Sequence, residues 1–323
     1  MKQGFINKLQ SILDLNENMS LQAFIGLKTN GQVIVKKANF KTEVITLLSD
    51  GFKASIRSEL EEFNNDDERD VLHLSTIDER SNVVYKYDLP DEEPSYFSTM
   101  REVAQIHPIN YWTNDKMFNF DNDNLSDIQY FIYKIGVEDN FIVAYRTSYN
   151  FNVLHRGRGR FYVNKSGTQF ANIEGDILKL DCQIDTILGD NDSFFLTNLK
   201  SLERSSDFAG IIKRRATQSI AELERIELLH DIDVLRDRID ELPFARRLMR
   251  SIDSSPVLHM NKSDVLTFVR GHETLSRILT ISDEKIIASS KKSQDALIRL
   301  LNDDFLHSQL TSLNYKTTSK DRL

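Results

Sequence analysis

Apolar residues in the N-terminal half recur with helical spacing in two segments and alternate like strands in others. Residues 1–15 and 40–63 place apolar side chains every three or four positions, which predicts two amphipathic helices. Strands are predicted over four segments, residues 21–28, 83–89, 128–135 and 141–145. The last two segments flank a short polar turn and therefore predict a hairpin.

The C-terminal half begins with strand-like segments and continues with helices. Strands of a second sheet are predicted over residues 161–163, 178–185 and 193–197. An apolar stripe from Phe208 to Leu223 predicts a long helix. Residues 232–242 continue this stripe until Pro243, which breaks or restarts the helix.

Helices and strands are mixed again near the C-terminus. Residues 275–281 and 285–288 flank an Asp-Glu turn and predict a second hairpin. A helix over residues 293–301 and two short strands at 305–310 and 313–317 follow. The predicted fold class is α+β. Its two predicted domains are an acidic α/β domain and a sheet-containing domain with a helical region at about 201–253, over residues 1–150 and 151–323.

Charge is distributed unevenly between these two parts. The chain of 323 residues has a net charge of −8, and residues 1–150 hold 15 Lys and Arg against 24 Asp and Glu. Residues 151–323 hold 26 basic residues against 25 acidic ones. The net charge argues against a protein that coats nucleic acid with its whole surface, but local basic sites in the second part stay possible.

Features that would place the chain in a membrane or in an oxidising compartment are absent from the sequence. No apolar run approaches the roughly 20 residues that span a bilayer, and the first residues lack the pattern of a signal peptide. The single cysteine, Cys182, cannot form an internal disulfide and is interpreted as a small buried apolar residue. The sequence predicts a cytoplasmic protein that reaches a membrane only through a partner.

Catalytic and metal-binding motifs are also absent. The sequence has no GxxxxGK[ST], HExxH or GxSxG, and its histidines have no metal-binding spacing. Asp303 and Asp304 could hold a divalent metal, although adjacent residues of a helix point about 100° apart. The alternative is a helix end capped by Asn302, with both carboxylates bonded to local backbone. We predict no cofactor and no resident metal, and a metal-dependent nuclease stays as a less favoured hypothesis.

The most basic stretch of the chain is HRGRGRF at residues 155–161. If it is extended, Arg156, Arg158 and Arg160 point to one side at about 6.6 Å spacing, and Lys165 follows. The two intervening glycines allow a polyanion backbone to approach closely. The stretch therefore predicts phosphate contacts, and the alternative is a solvated loop or a set of internal salt bridges.

Two helical segments add further candidates for DNA binding. Within residues 213–215, Arg214 is expected to be exposed, whereas Arg215 lies near the apolar edge of its helix. Arg246, Arg247 and Arg250 share one face through their i, i+3 and i, i+4 spacing, which predicts a cationic face that could follow a phosphate backbone. The alternative for this face is a solubilising surface or ion pairing with Asp240 and Glu241. Without an aromatic pattern for base stacking, binding is predicted to be independent of DNA sequence.

The C-terminal sequence LLNDDFLHSQLTSLNYKTTSKDRL, residues 300–323, resembles the end of the domain that defines the KwaB family of the Kiwa anti-phage defence system. Further similarities are Phe161 with the strand that follows it, the segment LKLDCQIDTI at residues 178–187, and the pair Phe194-Phe195 before a long helical region. The resemblance covers residues from about Arg160 to Leu323 and is weak over residues 1–150.

No motif in the chain is by itself diagnostic of a function, but the resemblance implies one. KwaB-like proteins act with KwaA, a small integral membrane protein, and they bind DNA, self-associate and oppose phage DNA replication and late transcription. We therefore expect a DNA-binding effector, homodimeric or larger, that is recruited to the inner membrane by a KwaA-like partner. A rival hypothesis is an adaptor that acts through protein contacts, with the acidic half as its docking surface.

Overall fold

A computed structural model describes most of the chain. The described residues are 1–74, 82–89, 93–106, 116–149, 152–154, 162–166, 169–173, 177–205, 207–253, 255–307 and 314–316. They belong to two compact units. Unit 1 comprises Met1–Leu72, Asn82–Tyr87 and Ser95–Ser205, and unit 2 comprises His73–Ser81, Asp88–Pro94 and Ser206–Leu323. The predicted boundary at residue 150 falls inside unit 1.

The described residues of unit 1 form four α-helices and most of the strands. Its helices are α1 (Lys2–Leu13), α2 (Thr42–Asn65), α3 (Ser95–Gln105) and α4 (Leu199–Ser205). The strands numbered along the chain are β1 (Ser20–Thr29), β2 (Gln32–Lys37), β3 (Val71–His73), β4 (Val84–Lys86), β5 (Ile128–Val137), β6 (Asn140–Thr147), β7 (Val153–Leu154), β8 (Tyr162–Ser166), β9 (Gln169–Ile173), β10 (Ile177–Leu178), β11 (Thr186–Leu188) and β12 (Phe194–Leu196).

Eight of these strands form one sheet in the order β2-β1-β5-β6-β11-β12-β4-β3. The pairs from β2 to β4 are antiparallel. The predicted hairpin of residues 128–145 is confirmed as β5 and β6. The strand predicted over residues 178–185 is wrong, because Leu178 alone lies in a strand, β10, which pairs with β7. The strand predicted over residues 193–197 is confirmed as β12, but it pairs with β11 and β4 in the first sheet and not in a second one. A separate two-stranded sheet consists of β8 and β9.

The core of unit 1 lies between the sheet and the helices α1 and α2. Leu9 of α1 and Phe52 and Ile56 of α2 are almost completely buried, and they join Leu27 of β1 and Tyr133 of β5 in one apolar cluster. Their helical and alternating positions follow the patterns that predicted these elements. On the sheet, Gly26 permits close packing, because a Cβ there would lie 2.3 Å from the ring of Tyr130.

A buried ion-pair network holds the end of β6 to the segment that leads into β11. Arg146 donates to Asp181 at 2.8 Å, to Asp185 at 3.0 Å and to Gln183 at 2.9 Å. The second oxygen of Asp185 accepts the backbone N–H of Thr147 at 2.8 Å. Burial raises the pKa of Asp185, and the hydrogen bond from Thr147 and the charge of Arg146 counteract that effect. The carboxylate, which is 0% exposed, therefore depends on Arg146 to stay ionised.

Replacing Arg146 should destabilise unit 1 strongly. In Arg146→Met, Asp185 becomes a buried charge without its cation, and we expect the free energy of unfolding to fall by about 3–5 kcal/mol in chemical denaturation. The matched control Arg57→Met, at an exposed position on α2, should change it by less than about 0.5 kcal/mol. The additional change Asp185→Asn should recover part of the loss. A loss below about 1 kcal/mol in Arg146→Met would contradict this account.

Unit 2 consists mainly of helices. Its helices are α5 (Phe208–Arg225), α6 (Asp233–Arg236), α7 (Leu242–Asp253), α8 (Lys262–Gly271), α9 (Glu273–Ile278) and α10 (Lys291–Leu301). Its strands are β13 (Thr280–Ser282), β14 (Lys285–Ile287), β15 (Phe305–His307) and β16 (Asn314–Lys316). The predicted long helix is confirmed as α5, but its continuation is only the single turn α6. Pro243 restarts the helix, because it lies in the first turn of α7, where its missing N–H costs little.

The turn between β13 and β14 confirms the second predicted hairpin. Asp283 and Glu284 both have positive φ, near 50° and 54°, as a two-residue turn of type I′ requires. The predicted strand before the turn begins too early, since residues 275–278 belong to α9. The ring nitrogen Nδ1 of His272 accepts a hydrogen bond from the backbone N–H of Leu275 and so caps the start of α9.

The C-terminal motif folds as a helix end followed by a strand pair. Asn302 is the C-cap of α10, as predicted, and its amide donates to Asp304 at 2.6 Å. Asp303 adopts a positive φ of 57°, and the backbone N–H of Asp304 donates to the carbonyl of Arg299. The strand pair predicted after this turn is confirmed by β15 and β16. The motif is thus a local capping structure that turns the chain from α10 into β15.

Candidate nucleic-acid interface

The most basic stretch of the sequence leads directly into the two-stranded sheet β8–β9. Arg156, Arg158 and Arg160 lie outside the described residues. Lys165 lies in β8, where its backbone is opposite Phe170 of β9. Two-stranded antiparallel ribbons are among the elements that fit into the major groove of duplex DNA. We give the name basic ribbon to residues 156–173, the part of the sequence that contains the three predicted arginines and this strand pair.

On α5, the helix places its three consecutive basic residues in different surroundings. Arg214 is exposed, as predicted, whereas Lys213 and Arg215 are partly buried. Lys213 forms an ion pair with Asp240 at 2.7 Å, and Arg215 forms one with Asp253 at 3.4 Å. Arg214 is thus the member of this group that the helix presents to solvent.

The prediction of an exposed cationic face on α7 is wrong for two of its three arginines. Arg246 is 6% exposed and Arg250 is 0% exposed, so neither can reach a phosphate at the surface. The reason is that α7 packs against both α5 and α10, which leaves little of its circumference in contact with water. The spacing correctly placed the arginines on one side of the helix, but a helix between two others can bury that side as well.

Arg247 remains half-buried and has partners of its own. Its Nε donates to the carbonyl of Pro243 at 3.3 Å, and its guanidinium lies 3.5 Å from the carboxylate of Asp295 on α10. The sequence suggested Asp240 or Glu241 as ion-pair partners for this face. The observed partner lies on α10 instead, far away in the sequence, and only the packing of the two helices reveals it.

An ion-pair network around Arg238 was not predicted from the sequence. Arg238 donates to Glu241 at 2.8 Å and to Asp295 at 3.1 Å, and its guanidinium lies 4.2 Å from the ring centre of Phe244. Lys291 also pairs with Glu241. The hydrogen bonds from Lys291 and Arg238 lower the pKa of Glu241. Several basic residues of unit 2 thus neutralise carboxylates within the same unit, which reduces the charge left for an external polyanion.

Cys182, which the sequence analysis interpreted as a small buried apolar residue, is less buried than expected. The thiol is half-buried and lies near the carbonyl oxygen of Leu48. Burial raises its pKa to about 11, and the charge of Asp181 adds to the effect. At neutral pH the thiol is therefore protonated and a poor nucleophile.

The described part of the chain has neither a metal-binding cluster nor a membrane-spanning helix. It contains no group of three or more His, Cys, Asp or Glu residues that could hold a metal ion. None of its helices is long and apolar enough to cross a membrane. The described residues thus form an α+β protein of two compact units, in which Arg214, one of the sequence-predicted DNA contacts, is exposed.

Comparison with known proteins identifies the family. A family model described as "Kiwa protein KwaB-like" matches residues 125–311. Kiwa protein KwaB from Escherichia coli O55:H7 (strain RM12579 / EPEC) is 28% identical over 293 residues, which cover 90% of this chain and 90% of that protein. No solved structure matches significantly. Since the family model matches more than half of the chain, the chain belongs to the KwaB-like family of Kiwa proteins. The similarity extends further towards the N-terminus than the sequence motifs indicated.

The burial of α7 predicts that Arg250 is needed for folding. In Arg250→Glu the helix would have to bury a carboxylate where it now buries a guanidinium, and we expect the free energy of unfolding to fall by about 3–5 kcal/mol. Urea denaturation followed by circular dichroism measures the loss. Arg247→Glu, on the same helix but half-buried, should lose clearly less. A stable Arg250→Glu protein that has lost DNA binding would show that this side of α7 is accessible after all.

Proposed function

We propose that this KwaB-like protein is the DNA-binding effector of a Kiwa anti-phage defence system. The observation that carries the proposal is the run of three arginines, uninterrupted by acidic residues, that leads into the ribbon β8–β9. Phosphate contacts need several cations close together, and the sequence of this stretch holds three arginines at alternate positions. Family membership supports the defence role.

The electrostatics favour a local contact that does not depend on DNA sequence. With a net charge of −8, the protein as a whole repels DNA, so binding must come from a concentrated site. Arginine and lysine contacts to phosphates fix position without reading bases. Among the sequence-predicted residues, Arg156, Arg158, Arg160, Lys165 and Arg214 remain the candidates for these contacts, and Arg247 is a marginal one.

The proposed function also includes self-association, recruitment to the inner membrane and a block of phage DNA. The protein remains in the cytoplasm, self-associates, and is held at the inner membrane by a KwaA-like integral membrane protein. From there, bound phage DNA is blocked from replication and transcription without being cut. The burial of Asp304 and its hydrogen bond with Asn302 favour the capping role of this turn over the nuclease hypothesis.

Neutralising the arginine run should weaken DNA binding and flatten its salt dependence. For Arg156→Gln, Arg158→Gln and Arg160→Gln combined, we expect the slope of log K against log salt for duplex DNA to decrease by about 2.7, or about 0.9 per lost contact. Gel shifts over a salt series measure the slope.

The matched control removes the same charge elsewhere in the chain. Lys28→Gln, Lys41→Gln and Arg57→Gln combined replace three exposed cations of unit 1 and should leave the slope nearly unchanged. If both triple variants lose the same amount, the effect is one of net charge and the assignment to the basic ribbon is wrong. The absence of any shift at low salt would reject DNA binding itself.

An adaptor role is the second candidate, and the acidic end of α2 favours it. Glu61 and Asp67 are exposed there, although negative charge at a helix C-terminus is unfavourable to the helix dipole. Such a surface suits the basic cytoplasmic loops that membrane proteins typically have.

Reversing these charges tests the adaptor role in the full-length chain, since a cut at residue 150 would divide the large sheet. We expect Glu61→Lys combined with Asp67→Lys to reduce capture of a KwaA-like protein in detergent pull-downs. Glu273→Lys combined with Asp283→Lys, at exposed positions of unit 2, is the charge-matched control. Equal capture by both double variants would exclude the end of α2 as the docking surface.

A further inference from the structure

Unit 1 contains an open cleft that the proposed DNA contacts do not use. Its volume is about 460 Å³, and it lies between α2 and the segment that includes β11. This volume is in the range of pockets that hold small organic ligands or a single side chain with its neighbouring backbone. The cleft is partly open to solvent and is lined by residues from three separate stretches of the chain.

The bottom of the cleft is apolar. Leu9, Ile56 and Ile187 contribute to it, and each is at most 2% exposed. An aliphatic chain placed on this floor would lose water-exposed apolar area, which contributes about 25 cal/mol for each Å². The floor therefore selects ligands that have a methylene stem.

The wall of the cleft is acidic. Glu59 and Glu62 line it, and none of the described lining residues is Lys or Arg. Both carboxylates share one cation, Arg69, at 2.5 Å from Glu59 and 2.8 Å from Glu62. Two negative charges against one positive charge leave the wall with a net negative charge. Phosphates and carboxylates are disfavoured here, and a positively charged head group is favoured.

The polar residues opposite Glu59 offer mainly hydrogen-bond donors. The side-chain oxygen of Gln183 already accepts from Arg146 at 2.9 Å, and that of Asn198 accepts from the backbone N–H of Ser201 at 3.1 Å. Both residues line the cleft and have an amide NH2 group. A ligand with a cationic head group at one end of its aliphatic stem and a carbonyl oxygen at the other could therefore be bound at both ends.

We propose that this cleft binds an aliphatic chain that ends in a guanidinium or ammonium group, with the charged end at Glu59 and Glu62 and the stem on Leu9, Ile56 and Ile187. Two sources have this chemistry. One is a free metabolite of the polyamine type, and the other is a Lys or Arg side chain of a partner protein.

The protonation of Glu59 gives the proposal a pH dependence. Burial raises the pKa of Glu59, and the hydrogen bond and charge of Arg69 counteract this only in part. A cation binds the ionised carboxylate, so its affinity should increase as the pH rises through that raised pKa. The charged groups that face Glu59 are Arg69 and Glu62, and Glu62 contributes in the same direction as burial.

The test uses the full-length protein labelled at isoleucine methyl groups. Agmatine represents the free metabolite, and acetyl-Ala-Arg-Ala-amide represents an arginine of a partner. Acetyl-Ala-norleucine-Ala-amide supplies the stem without the charge, and inorganic phosphate supplies an anion. We expect saturable shifts of the methyl signals of Ile56, Ile184 and Ile187 with agmatine, with the arginine peptide, or with both. Whichever of agmatine and the arginine peptide binds more tightly identifies the source of the ligand.

Variants connect these shifts to the acidic wall. Glu59→Gln keeps the size of the side chain, and Arg69 retains Glu62 and the carbonyl of Asn82 as partners, so the fold should survive. We expect this variant to weaken binding of the cationic probe about tenfold or more, as for the loss of a charge-assisted hydrogen bond. Glu43→Gln, at an exposed position of the same helix but outside the cleft, should bind like the original protein.

A second variant tests the proposal if Glu59→Gln does not fold. Ser58 is exposed and lines the cleft, so Ser58→Lys should place its own ammonium group there and compete with the probe. The proposal is overturned if no cationic probe shifts the three methyl signals at millimolar concentration. It is also overturned if the uncharged norleucine peptide binds as tightly as the tighter of the two cationic probes, or if Glu43→Gln weakens binding as much as Glu59→Gln or Ser58→Lys does.

Discussion

The cost of removing an arginine from water is the constraint on which the two units and the proposed function depend. A guanidinium cannot be neutralised by losing a proton, so each buried arginine needs carboxylates or carbonyls arranged around it. Arg146 meets this requirement with Asp181 and Asp185, and Arg238 meets it with Glu241 and Asp295. Arg146 and Arg238 thus hold segments of the described chain together and leave little charge for an external polyanion.

This separation explains why the sequence predicted the elements better than the site. The helices α2 and α5 and the hairpin β5–β6 were predicted from the spacing of apolar residues within each segment. Such spacing is a local property of the sequence and does not depend on which distant segments pack nearby. For Arg246 and Arg250 the spacing showed a shared face but not what covers it, because α5 and α10 are distant in the sequence. Asp295, the partner of both Arg238 and Arg247, is distant from them for the same reason.

The large sheet was only partly predictable, again because its contacts are distant in sequence. Alternation predicted β1, β4, β5, β6 and β12 of this sheet but not β2, β3 or β11. The pairing of β11 with β6 and of β12 with β4 joins segments that loops and helices separate. Strand order depends on packing against α1, α2 and α3, which no single segment encodes. The turn at Asn302–Asp304 is the opposite case, since a C-cap and a positive-φ aspartate are local features, and the sequence identified the cap correctly.

The central claim is that DNA contacts the basic ribbon and not the arginines of α7. Hydrogen–deuterium exchange of the full-length protein, with and without saturating duplex DNA, tests it most directly because it reports every segment in one experiment. The account predicts slower exchange in peptides that span residues 153–173 and unchanged exchange in peptides of α7. Slower exchange at α7, with none at residues 153–173, would contradict it.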